Sequence, residues 1–298
     1  MLSNIKRTPG EKLFDAVNLL LVLGISVLIL YPLLFVLFAS MSDPRQMFDN
    51  PLLLWPKGFT LQSYSAIFEN RDIWVGYRNT ILYTCVGTSI NVIMTILGAY
   101  PLSRRRFFGK HAFTFLFTFT MFFSGGLIPG YLVNQSLGIV NTIWALVLPG
   151  AISAFNLIIM RTYFQTQIPH ELEESAYADG CGDLRLLYKI VLPLSTPIIA
   201  VMILFYGVGH WNSYFDALIY ISDREKYPLQ LILREILIQN SLKEMLTVAV
   251  DDQYGDRMIA REGIKYAIVV VSSLPLLVFY PMLSKFFEKG IMVGAIKG

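Results

Sequence analysis

Residues Pro169 to Pro197 read PHELEESAYADGCGDLRLLYKIVLPLSTP, and the rest of the chain is organised around them. Two long apolar runs flank this stretch, yet five carboxylates fall within thirteen of its residues, at positions 171, 173, 174, 179 and 183. Each carboxylate would cost roughly 2.5 to 3.5 kcal/mol at the centre of a bilayer. The stretch is therefore expected to lie outside a membrane that its flanking segments cross.

The first part of this stretch predicts a short helix. Pro169 suits the first helical position, the acidic first turn complements the helix dipole, and Gly180 can adopt the left-handed conformation that ends a helix. From Pro169 to Asp179 such a helix is roughly 16 Å long, about half the hydrocarbon thickness of a bilayer, so it must lie along a surface. Small side chains would let another protein approach its backbone closely, and we interpret it as a docking helix. These small residues are Ser175, Ala176 and Ala178.

A second helix is predicted directly after Gly182, with Asp183 as its cap. Its apolar residues recur at i, i+3, i+4 and i+7, which predicts one buried face. That face consists of Leu184, Leu187, Tyr188 and Val191, whereas Arg185 and Lys189 are expected to face water.

The composition is that of a membrane protein. The chain has 298 residues, of which 55% are hydrophobic and 15% charged, and its mean hydropathy is positive. The net charge of +3 is spread over loops, and nothing in this distribution suggests nucleic-acid binding. The two cysteines lie in different surroundings, and neither a disulfide framework nor metal-ligand spacing is predicted. A calcium loop at Asp251, Asp252 and Asp256 lacks the required alternation of oxygen ligands, which favours an acidic turn in solvent.

The apolar runs predict an all-α protein with six transmembrane helices in a single domain, residues 1–298. The first run is far longer than the core of a signal peptide, so we interpret it as a retained span. A short basic cluster, Arg104, Arg105, Arg106 and Lys110, follows the second span and places that end in the cytoplasm. Loop 161–192 and both termini then lie in the cytoplasm, and segment 222–265 lies outside. The predicted spans are Val17 to Ala39, Thr80 to Leu102, Ala112 to Phe123, Thr142 to Met160, Pro193 to Ile221, and Tyr266 to Phe286.

The glycine- and proline-rich stretch from Ser124 to Leu132 predicts a break between the third and fourth spans. Irregular backbone at membrane depth is tolerated where protein buries it or where it lines a cavity. Two interpretations stay open, a cavity wall and a plain re-entrant connection.

The fifth span carries the candidate residues for a substrate path. Tyr206, His210 and Tyr214 recur at i, i+4 and i+8, and Trp211 lies beside them. Their rings could stack on a sugar; alternatively, they form an interfacial belt or pack against a neighbouring helix. Packing is favoured, with Tyr206 and His210 the better candidates for a pore.

No catalytic chemistry is predicted. The chain lacks a phosphate-binding Gly-x-x-x-x-Gly-Lys-Ser/Thr loop, and its three histidines include no i, i+4 pair for zinc. The spans carry hardly any ionisable residue away from their ends, which disfavours a stand-alone carrier coupled to protons or sodium.

Loop 161–192 carries a resemblance to a known family. Glu174, Ser175 and Ala176, then Asp179 and Gly180, resemble the EAA loop of ATP-binding cassette (ABC) importer permeases, which has Glu-Ala-Ala-x-x-Asp-Gly. The family's Ile-x-Leu-Pro follows at the expected spacing, as Ile190, Leu192 and Pro193, and Ser175 in place of alanine is a conservative departure. Residues 125–164 and 265–298 are similar to carbohydrate-type permeases of the oligosaccharide branch, nearest to the lipoprotein-type or complex-polysaccharide permeases of Gram-positive bacteria.

The resemblance implies a type I ABC importer permease fold and a non-catalytic subunit of a sugar importer in the plasma membrane. It implies a second homologous permease, two ATPase subunits that bind ATP and Mg, and an extracellular solute-binding lipoprotein that delivers an oligosaccharide. It also implies ATPase contacts by the carboxy-terminal residues Gly294, Lys297 and Gly298. The coupling residues that it implies are Glu171, Glu173, Glu174, Ser175, Ala176, Asp179, Gly180, Ile190 and Pro193.

Two functions of other classes stay open. One is a membrane scaffold that recruits a cytoplasmic partner without transport, which differs from a permease in the partners that co-purify. The other is the ion-coupled carrier, which would transport without ATP.

Overall fold

The computed structural model describes residues 8–48, 53–246, 263–279 and 281. These residues are helical or lie in turns and loops, which confirms the all-α prediction for the described part of the chain. They fall into two compact units, one within Met1–Asn70 and Leu237–Ser273, the other within Arg71–Ile236 and Leu274–Gly298. The prediction of a single domain stays a prediction.

The helices are named α1 to α15 in chain order. The first eight are α1 Pro9–Ser40, α2 Pro44–Phe48, α3 Gln62–Phe68, α4 Arg71–Ser103, α5 Lys110–Phe122, α6 Leu127–Ser136, α7 Trp144–Val147 and α8 Ala154–Gln167. The others are α9 His170–Ala178, α10 Asp183–Leu186, α11 Leu192–Leu194, α12 Thr196–Asn212, α13 Phe215–Tyr220, α14 Leu229–Leu246 and α15 Gly263–Phe279. A π-helix covers Leu187–Val191, and a 3₁₀ turn covers Arg224–Lys226.

Helix α1 dominates the first unit. Thr8 and Glu11 form a reciprocal capping box at its start, which satisfies two free N–H groups. Almost all of its apolar side chains are exposed, and only Ala39 and Ser40 near its end are buried. Ala39 packs with Leu53 in a small cluster of this unit. Such an apolar surface is suited to lipid or a partner helix.

Helix α4 organises the second unit, where it packs mainly against α8 and α12. The largest apolar core joins these three helices and includes Leu157, Met160 and Met202, all fully buried. The same core extends to Ala176 of the docking helix. The docking helix is thus built onto the core of the unit that carries it.

The described residues do not confirm six spans. Helices α1 and α4 are each long and apolar enough to cross a membrane. Two further spans result if each bent pair counts as one, α5 with α6 at 116° and Asp183–Leu194 with α12 at 81°. The predicted fourth span is interrupted between α7 and α8, the predicted fifth is interrupted after Asn212, and part of the predicted sixth lies outside the described residues. The break predicted from Ser124 to Leu132 is confirmed only in its first part, because α5 ends at Phe122 and α6 begins at Leu127, so that Leu127 to Leu132 are helical.

The buried face predicted after Gly182 is wrong at two positions. Leu187 and Val191 are buried as expected, but Leu184 and Tyr188 are 71% and 70% exposed, and Leu186 is buried instead. The π-helix that follows the single turn of α10 interrupts the 3.6-residue period by i to i+5 hydrogen bonding, which accounts for the exposure of Tyr188 within it.

Candidate functional site

The docking helix predicted from the sequence is present as α9. Pro169 is extended and precedes the helix, with His170 as its first residue, one position later than expected. The helix ends as predicted, with Gly180 in the left-handed region at φ +75°. The Gly180 and Cys181 N–H groups then donate to the carbonyls of Tyr177 and Ala176 at 3.0 and 2.9 Å, which satisfies carbonyls at the helix end.

Helix α9 has two distinct faces. Glu173 and Ala176 are buried, at 8% and 7% exposure, against the chain's own core. Both side chains pack within the chain, and the coupling role predicted for Glu173 and Ala176 stays a prediction. The exposed residues are Glu171, Leu172, Glu174, Ser175 and Ala178, followed by Asp179 at the helix end.

An ion pair fastens the buried face to the end of α4. Glu173 Oε1 lies 2.7 Å from Arg104 Nη1, and the two side chains are only 11% and 9% exposed. Glu173 Oε2 lies 3.2 Å from His170 Nδ1, and the Arg104 guanidinium lies 4.7 Å from the Tyr100 ring centroid. Removing one partner of a buried pair is strongly destabilising because the other charge is left uncompensated. The ion pair therefore ties α9 to the end of α4.

A second set of contacts holds the end of the docking helix. The Tyr177 hydroxyl donates a short hydrogen bond to Asp183 Oδ1, and the Tyr100 hydroxyl donates to the Asp183 carbonyl at 3.1 Å. Arg106 places its guanidinium 5.1 Å from the Tyr177 ring centroid. Burial, and then the hydrogen bond to Asp183, raises the pKa of Tyr177 above its ordinary value, so the phenol stays a neutral donor.

The remaining predicted coupling residues lie between the docking helix and α12. Ile190 is half-buried and packs on the main core, whereas Pro193 is exposed within α11. The chain then bends by 81° at Ser195, where α12 begins with Pro197 in its first turn. This bend connects loop 161–192 directly to α12.

Tyr206 and His210 make hydrogen bonds within the second unit. The Tyr206 hydroxyl lies 2.7 Å from Thr95 Oγ1 and accepts from the Ser153 N–H at 3.1 Å. One helical turn further on, His210 Nε2 lies 2.6 Å from Asn91 Oδ1. The Asn91 amide in turn donates to the Gly150 carbonyl at 2.6 Å. These two layers of contacts join α4, α12 and the connection between α7 and α8.

Tyr214 is not on the predicted face, because α12 ends at Asn212 and the chain is extended at Ser213. Its ring packs instead under Arg234, whose guanidinium lies 4.2 Å from the ring centroid. Trp211 is 4% exposed, and its ring centroid lies 6.3 Å from that of Tyr77. A substrate path through these residues stays a prediction.

Sequence reasoning missed three residues of this site. In the sequence, Arg104 and Arg106 indicate only membrane orientation, whereas in the structure each contacts loop 161–192. Asn91 is the third, and its amide within an apolar span is a signal in the sequence, because a buried polar group needs a partner. Gly294, Lys297 and Gly298 lie outside the described residues, as do Asp251, Asp252 and Asp256.

No protein-family model matches the chain. The chain is 40% identical to the protein LplC of Bacillus subtilis (strain 168), over 98% of this chain and 97% of the relative. It is also 40% identical to the polygalacturonan/rhamnogalacturonan transport system permease protein YtcP of that strain, over 97% and 99%. A chain in the crystal structure of a bacterial ABC transporter involved in the import of the acidic polysaccharide alginate superposes with a TM-score of 0.83 at 30% identity, over 94% of this chain and 99% of that chain.

Proposed function

Because this chain belongs to the permease subunits of ABC transporters, we propose that it forms half of the translocation pathway of an ATP-driven oligosaccharide importer. One relative named for transport of polygalacturonan and rhamnogalacturonan, and a structural neighbour involved in alginate import, support a sugar polymer or its fragments as the substrate. Family membership does not favour the scaffold or the ion-coupled carrier.

One observation carries the proposed coupling mechanism: α9 presents an acidic, small-residue face outward while its other face is fastened to α4. Glu174, Ser175 and Ala178 are free to contact an ATPase. Glu173 is held by Arg104 at 2.7 Å, so a displacement of α9 displaces the end of α4. The bend at Ser195 gives a second connection, to α12. Closure of an ATPase dimer would thus move both helices, and the membrane unit would switch between two arrangements.

The complete assembly proposed here contains a second homologous permease, two ATPase subunits and an extracellular solute-binding lipoprotein. ATP and Mg would bind to the ATPase subunits, and this chain would contribute no catalytic group. We propose six spans in the plasma membrane, with both termini and loop 161–192 in the cytoplasm and segment 222–265 outside. Carboxy-terminal residues Gly294, Lys297 and Gly298 are proposed as further ATPase contacts.

Charge reversal on the exposed face tests the docking role. Glu174→Lys is expected to abolish sugar uptake while the chain still reaches the membrane, because it places a cation where the docking face is acidic. Glu69→Lys reverses another exposed carboxylate, at the end of α3, and should leave uptake unchanged. If reconstituted complexes with Glu174→Lys keep normal sugar-stimulated ATP hydrolysis, the docking role is wrong. Transport by this chain alone in ATP-free vesicles would instead support the ion-coupled carrier.

A further inference from the structure

The three consecutive arginines after α4 have different surroundings. Arg104 is buried and paired with Glu173, and Arg106 lies against the Tyr177 ring. Arg105 is exposed, and within the described part of the chain it has neither a carboxylate nor a ring as partner. The same holds for Lys110, which is half-exposed at the start of α5. Two cations in this turn therefore have no anion supplied by the described residues.

An aromatic side chain stands between these two cations. Phe108 is 95% exposed, more than any other large apolar residue that the structure describes. Its neighbour Phe107 folds back onto α5, with its ring centroid 5.9 Å from that of Phe113. Gly109 makes this turn possible with φ +78°, a conformation that residues with a Cβ rarely adopt. The turn thus presents one phenylalanine outward, flanked by positive charge.

The location that we infer for this turn rests on the chain being a membrane protein. It does not require that α9 docks to an ATPase. Helix α4, a candidate span, ends at Ser103, immediately before the arginines. No charged residue occurs from Ala112 to Met160. The turn therefore lies at the boundary between apolar and polar segments, where aromatic rings concentrate and where anionic lipids attract cations.

We propose that Arg105, Phe108 and Lys110 bind the headgroup of an anionic phospholipid. The two cations contact the lipid phosphate, and the Phe108 ring enters the boundary between headgroups and acyl chains. Charge complementarity commits the site to a lipid, because its cations lack intramolecular anions and its exposed ring lies where a bilayer covers it. Each cation contributes on the order of fivefold enrichment of anionic over zwitterionic lipid at this turn.

Fluorescence quenching tests the proposal with the assembled transporter. Phe108→Trp places a fluorescent probe at the turn. Its emission is the fluorescence of the variant complex minus that of the wild-type complex. Vesicles contain either acyl-brominated phosphatidylglycerol or acyl-brominated phosphatidylcholine. Quenching of the Phe108→Trp probe is expected to be stronger with phosphatidylglycerol. Adding Arg105→Gln and Lys110→Gln is expected to remove this preference and to leave quenching by phosphatidylcholine.

Phe122→Trp is the matched control at the far end of α5. Phe122 is also highly exposed, at 76%, but no charged residue lies near it in the sequence. Both brominated lipids should quench this probe equally. Equal quenching of the Phe108→Trp probe by both lipids would overturn the headgroup preference. Quenching by neither lipid would show that protein covers Phe108, and would overturn the lipid site altogether. These readouts do not depend on transport, so they separate this proposal from the proposed function.

Discussion

Arg104, the first residue after α4, and Glu173, on the docking helix, form a buried ion pair with Nη1 and Oε1 2.7 Å apart. Four helices, α5 to α8, lie between the two residues in the chain. This ion pair therefore holds the docking helix in place in addition to its flanking loops. The docking helix is attached to the helix around which the second unit is packed.

Breaking this pair should destabilise the complex and uncouple it. Arg104→Gln leaves the Glu173 carboxylate buried without a counter-charge, and a loss of roughly 3 to 5 kcal/mol is expected for a buried pair. Thermal unfolding of the purified complex and sugar uptake should both decline. The double variant Arg104→Met with Glu173→Leu should regain much of the stability, because it removes both charges together. An Arg104→Gln complex with wild-type stability and uptake would contradict this role of the pair.

The turn after the docking helix should tolerate asparagine but not valine. Gly180 has φ +75° and open space around the position of a Cβ, so backbone conformation alone limits substitution there. The left-handed conformation costs about 1 to 2 kcal/mol for a residue with a Cβ, and asparagine adopts it more readily than a β-branched residue does. Gly180→Val should lower uptake strongly, whereas Gly180→Asn should keep most of it. Uptake assays at matched membrane abundance compare the two; equal activities would show that the turn is not required.

Removing the Tyr206 hydroxyl should mainly affect stability. In Tyr206→Phe the buried Thr95 hydroxyl and the part-buried Ser153 N–H lose a partner, which costs about 1 to 3 kcal/mol. Tyr188→Phe, at a residue 70% exposed, is the matched control and should be neutral. The measurement is the melting temperature of each complex. A Tyr206→Phe variant with unchanged stability but altered sugar concentration dependence would favour the substrate path over packing.

Adding one methyl group at Gly87 should disturb the contact between α4 and α12. A Cβ there would lie 2.4 Å from His210 Nε2, well inside van der Waals contact. Overpacking of this kind typically costs about 1 to 3 kcal/mol. Gly24→Ala in α1, where nothing lies within 4 Å, serves as the control and should not destabilise. The stabilities of both variants are compared by denaturation in the same detergent. A Gly87→Ala variant with unchanged stability would mean that α4 and α12 are less closely packed than described.

Local chemistry was enough to predict several elements of this protein. The carboxylates from Glu171 to Asp183 exclude that segment from hydrocarbon whatever surrounds it, and Gly180 can adopt its left-handed conformation without help from neighbours. The break near Ser124 follows in the same way, because glycine and proline disfavour a continuous helix. These features depend on a residue and its near neighbours in the chain, so the sequence by itself determined them.

Only the tertiary structure decided which residues meet. Three successive arginines are alike in sequence, yet Arg104 pairs with Glu173 because packing of α8 against α4 brings the docking helix to that position. Tyr206 and Thr95 are 111 positions apart, and no local pattern indicates their hydrogen bond. The exposure of Tyr188 likewise follows from a π-helix, which the 3.6-residue pattern of the apolar residues does not indicate. Contacts of this kind are set by the packing of distant segments, and burial in that packing determines which side chains remain available to a partner.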